Sequence, residues 1–301
     1  DDGNVLCAIP LGNDFPFNTY ADAGRKVYKY TTSAGTWART FLMSAGHARS
    51  KISRLPGNKA YIVGGFEKIT PGRNDTITIP IQGRISSKLE LFDSVTGLWT
   101  VAANMPTIDG EDTNSTFGNP TVPAGPLRGS RADGGHIVMG RKIIVVGGDF
   151  SWNADADFGA YSDIWGRSSI IAYDIDAATW SVSSISMPYP VSYSCLYDIG
   201  NGRILIAGGF NYETPQRDDY RCWIYDVNED SLQPAADLPN VDVGVGINVP
   251  LQSNYSCQDV NAISFNKELA FLAGNYNLED QSFNPGPQSQ IYSTGHKSSS
   301  G

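Results

Sequence analysis

The sequence has no apolar run approaching the length of a membrane-spanning helix, and nowhere do apolar residues recur with a sustained helical period. Neither a transmembrane helix nor a helical core is therefore expected. Histidine is scarce, with His47, His136 and His296 the only three in 301 residues, and there are four cysteines. No Cys/His spacing of the zinc type occurs, and no nucleophile elbow. No glycine-rich phosphate loop leads into a helix. Charged residues make up 18% of the chain, and 31 acidic against 22 basic side chains give a net charge of −9. That excess argues against nucleic acid or an anionic membrane as partner.

Glycine, with 32 residues, and proline, with 17, are what the chain has in quantity, together with 41% hydrophobic residues. That is enough for a core and for many tight turns. The glycines are ordered. Tyr61–Val63 is a short apolar run ending in Gly64-Gly65, and a polar stretch follows it. Then come Leu89–Asp93, a turn at Ser94–Gly97, Trp99 and Met105-Pro106. The order returns as Ile143–Val146, Gly147-Gly148, Ile170–Asp174, Trp180 and Met187-Pro188. It returns again as Ile204–Ala207, Gly208-Gly209, Trp223–Asp226, Leu232 and Leu238-Pro239. A shortened copy runs from Leu269 through Gly274 to Ile291–Ser293, and Val5–Ile9, Val27–Tyr30 and Trp37 fit the start of the same frame.

Each copy reads as four short strands, a unit that cannot bury both faces alone and must stack on its neighbours. The glycine pairs would let strand and neighbour approach where a Cβ would clash. Through these recurring Gly-Gly, aromatic-Asp and Trp positions the chain resembles the kelch-repeat family over nearly its whole length. The resemblance implies an all-β fold, a kelch-type β-propeller of four-stranded antiparallel blades. Five blades are recognisable, or six if one is built jointly. Residues 1–295 are expected to form this single domain and residues 296–301 a polar tail or linker. The opening at Asp1 without methionine reads as a processed or excised product, and the chain is expected to belong to a larger protein or assembly.

Loop lengths carry the functional expectation. The turns at Pro56–Asn58, Met139–Arg141 and Gly200–Gly202 are tight, as are those at Ser33–Gly35, Ser94–Gly97, Asp176–Thr179 and Asn228–Asp230. The long segments are Phe66–Ser87, Thr107–Gly129, Asp149–Arg167, Phe210–Arg221, Asn240–Asn254 and Tyr276–Gln288. Antiparallel alternation assigns all of them to the other face, and binding residues favour loops held on a rigid scaffold. Candidate contact residues there are Trp152, Tyr161, Trp165, Tyr212, Arg217 and Tyr276. Such aromatics anchor protein partners or stack on sugars. Asn153, Asp155, Asp157 and Asp163 have the alternating spacing of a calcium loop, although Phe158 stands where the helix-flanked version needs glycine. No cofactor is expected, with calcium at this loop as the exception. Arg49, Lys51, Arg131, Asp133, Tyr193 and Tyr255 are candidates for the lining of a central tunnel.

Cys195 and Cys257 occupy equivalent places in the repeated triplet Tyr-Ser-Cys. Their pairing across blades is preferred among the three that four cysteines allow. Cys195 with Cys222 would span two strand spacings, near the disulfide limit. Glycosylation sequons stand at Asn74, Asn114 and Asn254, on the long-loop face or its edge. With low charge and even cysteine count they point to a secreted or cell-surface protein, with the cytoplasm as the alternative.

The expected function is thus a non-enzymatic extracellular interaction or structural module that binds protein or glycan through the long-loop face. Two alternatives come with the resemblance. One is a copper-radical oxidase of the galactose/glyoxal oxidase type. Those enzymes hold copper with two Tyr and two His and have an adjacent Tyr-His, whereas here each His follows Gly. The other is an intracellular kelch adaptor, whose oligomerisation domain nothing in this chain resembles.

Overall fold

The computed structural model describes residues 5–8, 25, 27–47, 50–68, 83–112, 128–151, 164–212, 217–237, 263–265, 269–272, 276–277, 282–283 and 290–293. Among these, every regular element is a β-strand, so the all-β expectation holds. The first sheet is β1 (Val5–Ala8), β2 (Val27–Thr31) and β3 (Thr36–Arg39). The second begins with β4 (Ser53–Leu55) and β5 (Lys59–Val63). After a two-stranded ribbon, β6 (Phe66–Lys68) with β7 (Gly83–Ile85), it resumes with β8 (Lys88–Asp93) and β9 (Leu98–Asn104) in the order β4-β5-β8-β9. The third repeats this plan. Strands β10 (Gly135–Met139) and β11 (Lys142–Val146) precede the ribbon β12 (Asp149–Ser151) with β13 (Ile164–Gly166). Strands β14 (Ser169–Asp174) and β15 (Thr179–Ser186) complete the order β10-β11-β14-β15.

In the fourth sheet the ribbon is continuous with the sheet. β16 (Val191–Ser192) and β17 (Cys195–Gly200) both pair with the nine-residue β18 (Arg203–Asn211). β18 pairs in turn with β19 (Arg217–Asp226), and β19 with β20 (Ser231–Pro234). A register shift between Ala207 and Gly209 lets β18 pass through its glycine pair without ending. The fifth sheet contains β21 (Ile263–Phe265), β22 (Leu269–Leu272) and β25 (Gln290–Ser293), with a ribbon of β23 (Tyr276–Asn277) and β24 (Ser282–Phe283) set apart from it.

The recurring sequence signature has a physical reading in this register. The aromatic and the Trp are directly opposite each other on the last two strands of a sheet. Phe92 faces Trp99 and Tyr30 faces Trp37, with ring centroids 5.0 Å apart in both pairs. Tyr173 and Trp180 lie at 5.2 Å, and in the fourth sheet Leu232 takes the place opposite Tyr225. Such tilted aromatic pairs add stabilisation beyond their buried area. In the second, third and fourth sheets an Asp follows the aromatic and closes the next turn with its side chain. Asp93 Oδ1 accepts from the N–H groups of Val95 and Thr96, Asp174 from Asp176 and Ala177, and Asp226 from Asn228 and Glu229. The aromatic-Asp dipeptide is therefore one packing residue and one turn residue.

The described residues group into two compact units. One comprises Asp1–Asp133, Asp149–Trp165 and Tyr173–Val182, the other Gly134–Gly148, Gly166–Ala172 and Ser183–Gly301. The first is centred on Val27, Met43, Ala60, Ile62, Phe92 and Trp99. The second has a core that includes Ile144, Ile170, Met187, Tyr189, Ile204 and Tyr225, and beside it a cluster of Cys195, Tyr197, Ile199, Leu205, Ala207 and Cys222.

Candidate functional site

The glycine pairs are docking points. Gly64 has φ +64°, and a Cβ there would lie 2.0 Å from the carbonyl oxygen of Arg131. Gly147 has φ +58°, and a Cβ there would lie 2.1 Å from the carbonyl oxygen of Val191. The second glycine donates to that same carbonyl, Gly65 to Arg131 at 2.7 Å and Gly148 to Val191 at 2.8 Å. The backbone then closes in the same way in both repeats. Ser86 N–H bonds to Gly65, Arg131 N–H to Ser86, and Met105 N–H to Ser87. Correspondingly, Arg167 N–H bonds to Gly148, Val191 N–H to Arg167, and Met187 N–H to Ser168. Beyond these two pairs the chain enters Phe66–Ser87 and Asp149–Arg167, so both segments are rooted in main-chain hydrogen bonds.

Thr107–Gly129 has a further clasp at its root. The buried Asp112 carboxylate accepts from the N–H of Ile108 at 2.8 Å and from that of Gly129 at 3.2 Å. At the opposite end of each sheet the connections are short: Pro56–Asn58 joins β4 to β5, Ser94–Gly97 joins β8 to β9, and Asn201-Gly202 joins β17 to β18. Among the described residues the second and third sheets thus each have a closed end and an end from which a long segment leaves.

Of the contact candidates, Trp165 is half-buried on β13 and packs on the buried Phe150. Its indole Nε1 is enclosed with no hydrogen-bond partner among the described residues. Tyr212 follows β18, half-buried, edge-on to Phe210 at 5.0 Å and over Gly166, where a Cβ would lie 2.3 Å from the ring. These two aromatics therefore help pack the bases of their own segments. Arg217 begins β19 and Tyr276 begins β23. Trp152, Tyr161, the calcium candidates Asn153, Asp155, Asp157 and Asp163, and the sequons at Asn74, Asn114 and Asn254 lie outside the described residues. So does Cys257. Cys195 and Cys222 are both buried and both register against Ala207, on either side of β18. Among the tunnel candidates Arg131 and Asp133 are buried, Tyr193 is half-buried and Lys51 is exposed, while Arg49 and Tyr255 are outside the described residues. Asp133 and Tyr193 hold the same place in successive repeats, and both have positive φ, 52° and 59°.

A buried titratable pair that contact and loop reasoning did not single out is His47–Glu90. Glu90 is fully buried in β8. Its Oε1 accepts from Ser44 Oγ and Ala45 N–H at 2.9 Å and lies 3.1 Å from His47 Nε2; its Oε2 accepts from Ser44 N–H at 2.9 Å. Burial pushes this carboxyl up, but the bonds from His47, Ser44 and Ala45 together outweigh it and hold the group below the usual glutamate range. The other ring nitrogen, Nδ1, faces the Gly64 carbonyl oxygen. Both nitrogens of a side chain with no exposed surface are engaged, so the pair cannot reach a substrate. The signal for it was an acidic residue between Leu89 and Leu91, in a strand otherwise suited to burial on both faces. No known protein family and no curated protein matches the chain in sequence.

Proposed function

We propose that the chain is a kelch-type β-propeller that works without catalysis, as an extracellular interaction module presenting its long segments to a protein or glycan. The repeats form one ring through residue 295, followed by a polar tail. The observation that carries this reading is the two-ended construction of the sheets. Tight turns close one end, and the long segments leave the other from roots fixed by main-chain bonds at Gly64-Gly65 and Gly147-Gly148. A rigid base under long polar and aromatic segments is the arrangement that binding loops need. The engagement of both His47 nitrogens supports a non-enzymatic role over a copper site using that residue. The sequons and the low charge support a secreted location, and calcium at Asn153–Asp163 is compatible with it.

The test is binding by protein secreted from eukaryotic cells, with a glycan array and chemical cross-linking in extracellular matrix extract. The double variant Trp152→Ala, Tyr161→Ala should lose about tenfold or more in affinity for whatever is captured, at an unchanged thermal midpoint. Unaltered capture by the variant would remove the long-segment end from the function. Hydrogen peroxide released from galactose after copper loading would make the protein an oxidase instead.

A further inference from the structure

The tip between β17 and β18 is a two-residue turn, Asn201-Gly202, flanked by the register pair Gly200 with Arg203. It is the only place in the sequence where asparagine precedes glycine. From its geometry we propose that Asn201 is a site of spontaneous covalent modification. The tip would convert to aspartate and isoaspartate through a cyclic imide.

Three observations carry this. Asn201 is exposed, and its side-chain amide has no hydrogen-bond partner among the described residues, so it is open to attack. The Gly202 N–H lies outside the strand ladder and likewise donates to no described acceptor, so the attacking nitrogen is not committed elsewhere. Finally, the fold holds glycine in place. Gly202 has φ +76°, and a Cβ there would lie 2.1 Å from the Asn228 side-chain amide. The Gly202 carbonyl also accepts from Val227 N–H at 2.9 Å. A residue after asparagine slows ring closure chiefly through its side chain, and here the left-handed backbone at position 202 favours glycine, which has none. The other described asparagines, Asn58, Asn104, Asn211, Asn228 and Asn277, are followed in sequence by Lys59, Met105, Tyr212, Glu229 and Leu278.

In the first step the Gly202 amide nitrogen attacks the Asn201 side-chain carbonyl carbon and gives up its proton to solvent. A nitrogen–carbon bond forms, the side-chain carbon–nitrogen bond breaks, and ammonia leaves. Water then adds to one of the two imide carbonyls, giving aspartate or isoaspartate. No oxidant or reductant is involved. The isoaspartate product lengthens a two-residue turn by one main-chain atom and adds a negative charge beside Asp226 and Glu229, at the closed end of the sheet. Because this end is opposite the proposed binding end, the inference stands or falls independently of the binding proposal.

The experiment ages the folded protein at mildly alkaline pH and body temperature, with a urea-unfolded sample in parallel, followed by peptide mapping and enzymatic methylation of isoaspartate. The peptide carrying Asn201 should acquire the amide-to-acid mass change about tenfold faster than any other asparagine peptide of the folded sample. Isoaspartate should localise to position 201. Asn201→Gly, which keeps the turn conformation, should abolish that signal and the accompanying acidic charge variant. Conversion at Asn201 in urea but not in the folded protein would overturn the proposal, as would another asparagine converting first.

Discussion

At the scale of single residues, the buried Glu90 carries more of the packing between β8 and the segment after β3 than its one position suggests. Its oxygens satisfy two main-chain N–H groups, a hydroxyl and an imidazole. Glu90→Gln replaces an accepting oxygen with an NH2 group and cannot accept from all four donors. Breaking a buried hydrogen-bonded pair in this way costs about 3–5 kcal/mol. The pH dependence has a definite sign. The folded carboxyl lies below its unfolded value, so its stabilisation is present above the unfolded value and is lost as pH falls through the folded one. Urea melts of wild type and Glu90→Gln should therefore differ most near neutrality and converge on acidification. A gap that widens toward acid pH would show that the carboxylate is not the stabilising form. This site was only partly legible in sequence. Gly46-His47 is visible as one of three Gly-His dipeptides, but its partner lies 43 residues away and is fixed only by the pairing of β5 with β8.

Among elements, the glycines divide into two kinds that composition cannot separate. Gly57 has φ +75° and nothing within 4 Å of a Cβ, whereas Gly147 also has positive φ but meets the Val191 carbonyl. Gly57→Ala should cost about 1 kcal/mol for the left-handed backbone alone. Gly147→Ala must also displace main chain, and should cost about 3 kcal/mol or more. Denaturant midpoints of the two variants decide this, and equal losses would deny the docking role. Asp230 fastens two sheet edges together. Its carboxylate accepts from Tyr225 Oη at 2.7 Å and from Ser183 Oγ at 2.5 Å, and also from Ser184 N–H and Oγ. Partial burial raises this carboxyl, but the four hydrogen bonds win and hold it far below the usual aspartate range. Burial, with the Asp230 hydrogen bond adding to it, pushes the Tyr225 hydroxyl up to about 12 although the Ser183 bond works against it. Asp230→Ala should lower stability by roughly 1–3 kcal/mol. As with any depressed carboxylate, the loss should fade as pH falls through the folded value.

For the whole molecule, the aromatic face of each repeat shows what stacking does. Trp99 is 8% exposed because the segment after β3 lies over it, its Nε1 donating to Thr40 Oγ1 at 3.3 Å. Trp37, its counterpart in the first sheet, is 56% exposed among the described residues. If the repeats form the proposed ring, electron-microscopic class averages should show a disc with a central axis. Removing residues 255–301 should then make Trp37 more accessible to a fluorescence quencher. An elongated particle, or a Trp37 indifferent to that truncation, would refute closure. Capture of a partner through the long segments is a separate outcome, tested by the Trp152 and Tyr161 substitutions.

The sequence by itself determined the local plan. Strand positions, tight turns, the glycine pairs and the aromatic-Asp-Trp signature all follow from short-range rules: alternating apolar runs, positive φ at glycine and asparagine, and Asp accepting from the two turn amides beyond it. The absence of helix in the described residues follows from the missing helical period. Tertiary structure decided what lies opposite what. It set Glu90 on Ser44 and His47, joined Asp230 to Ser183, turned Trp165 onto Phe150, and made Gly64 and Gly147 contact points rather than mere turns. Those partners are separated by long or variable stretches of chain. Short-range rules fix which residues form a strand, but only packing fixes which distant carbonyl or carboxylate a buried group must meet to avoid being left without a hydrogen bond.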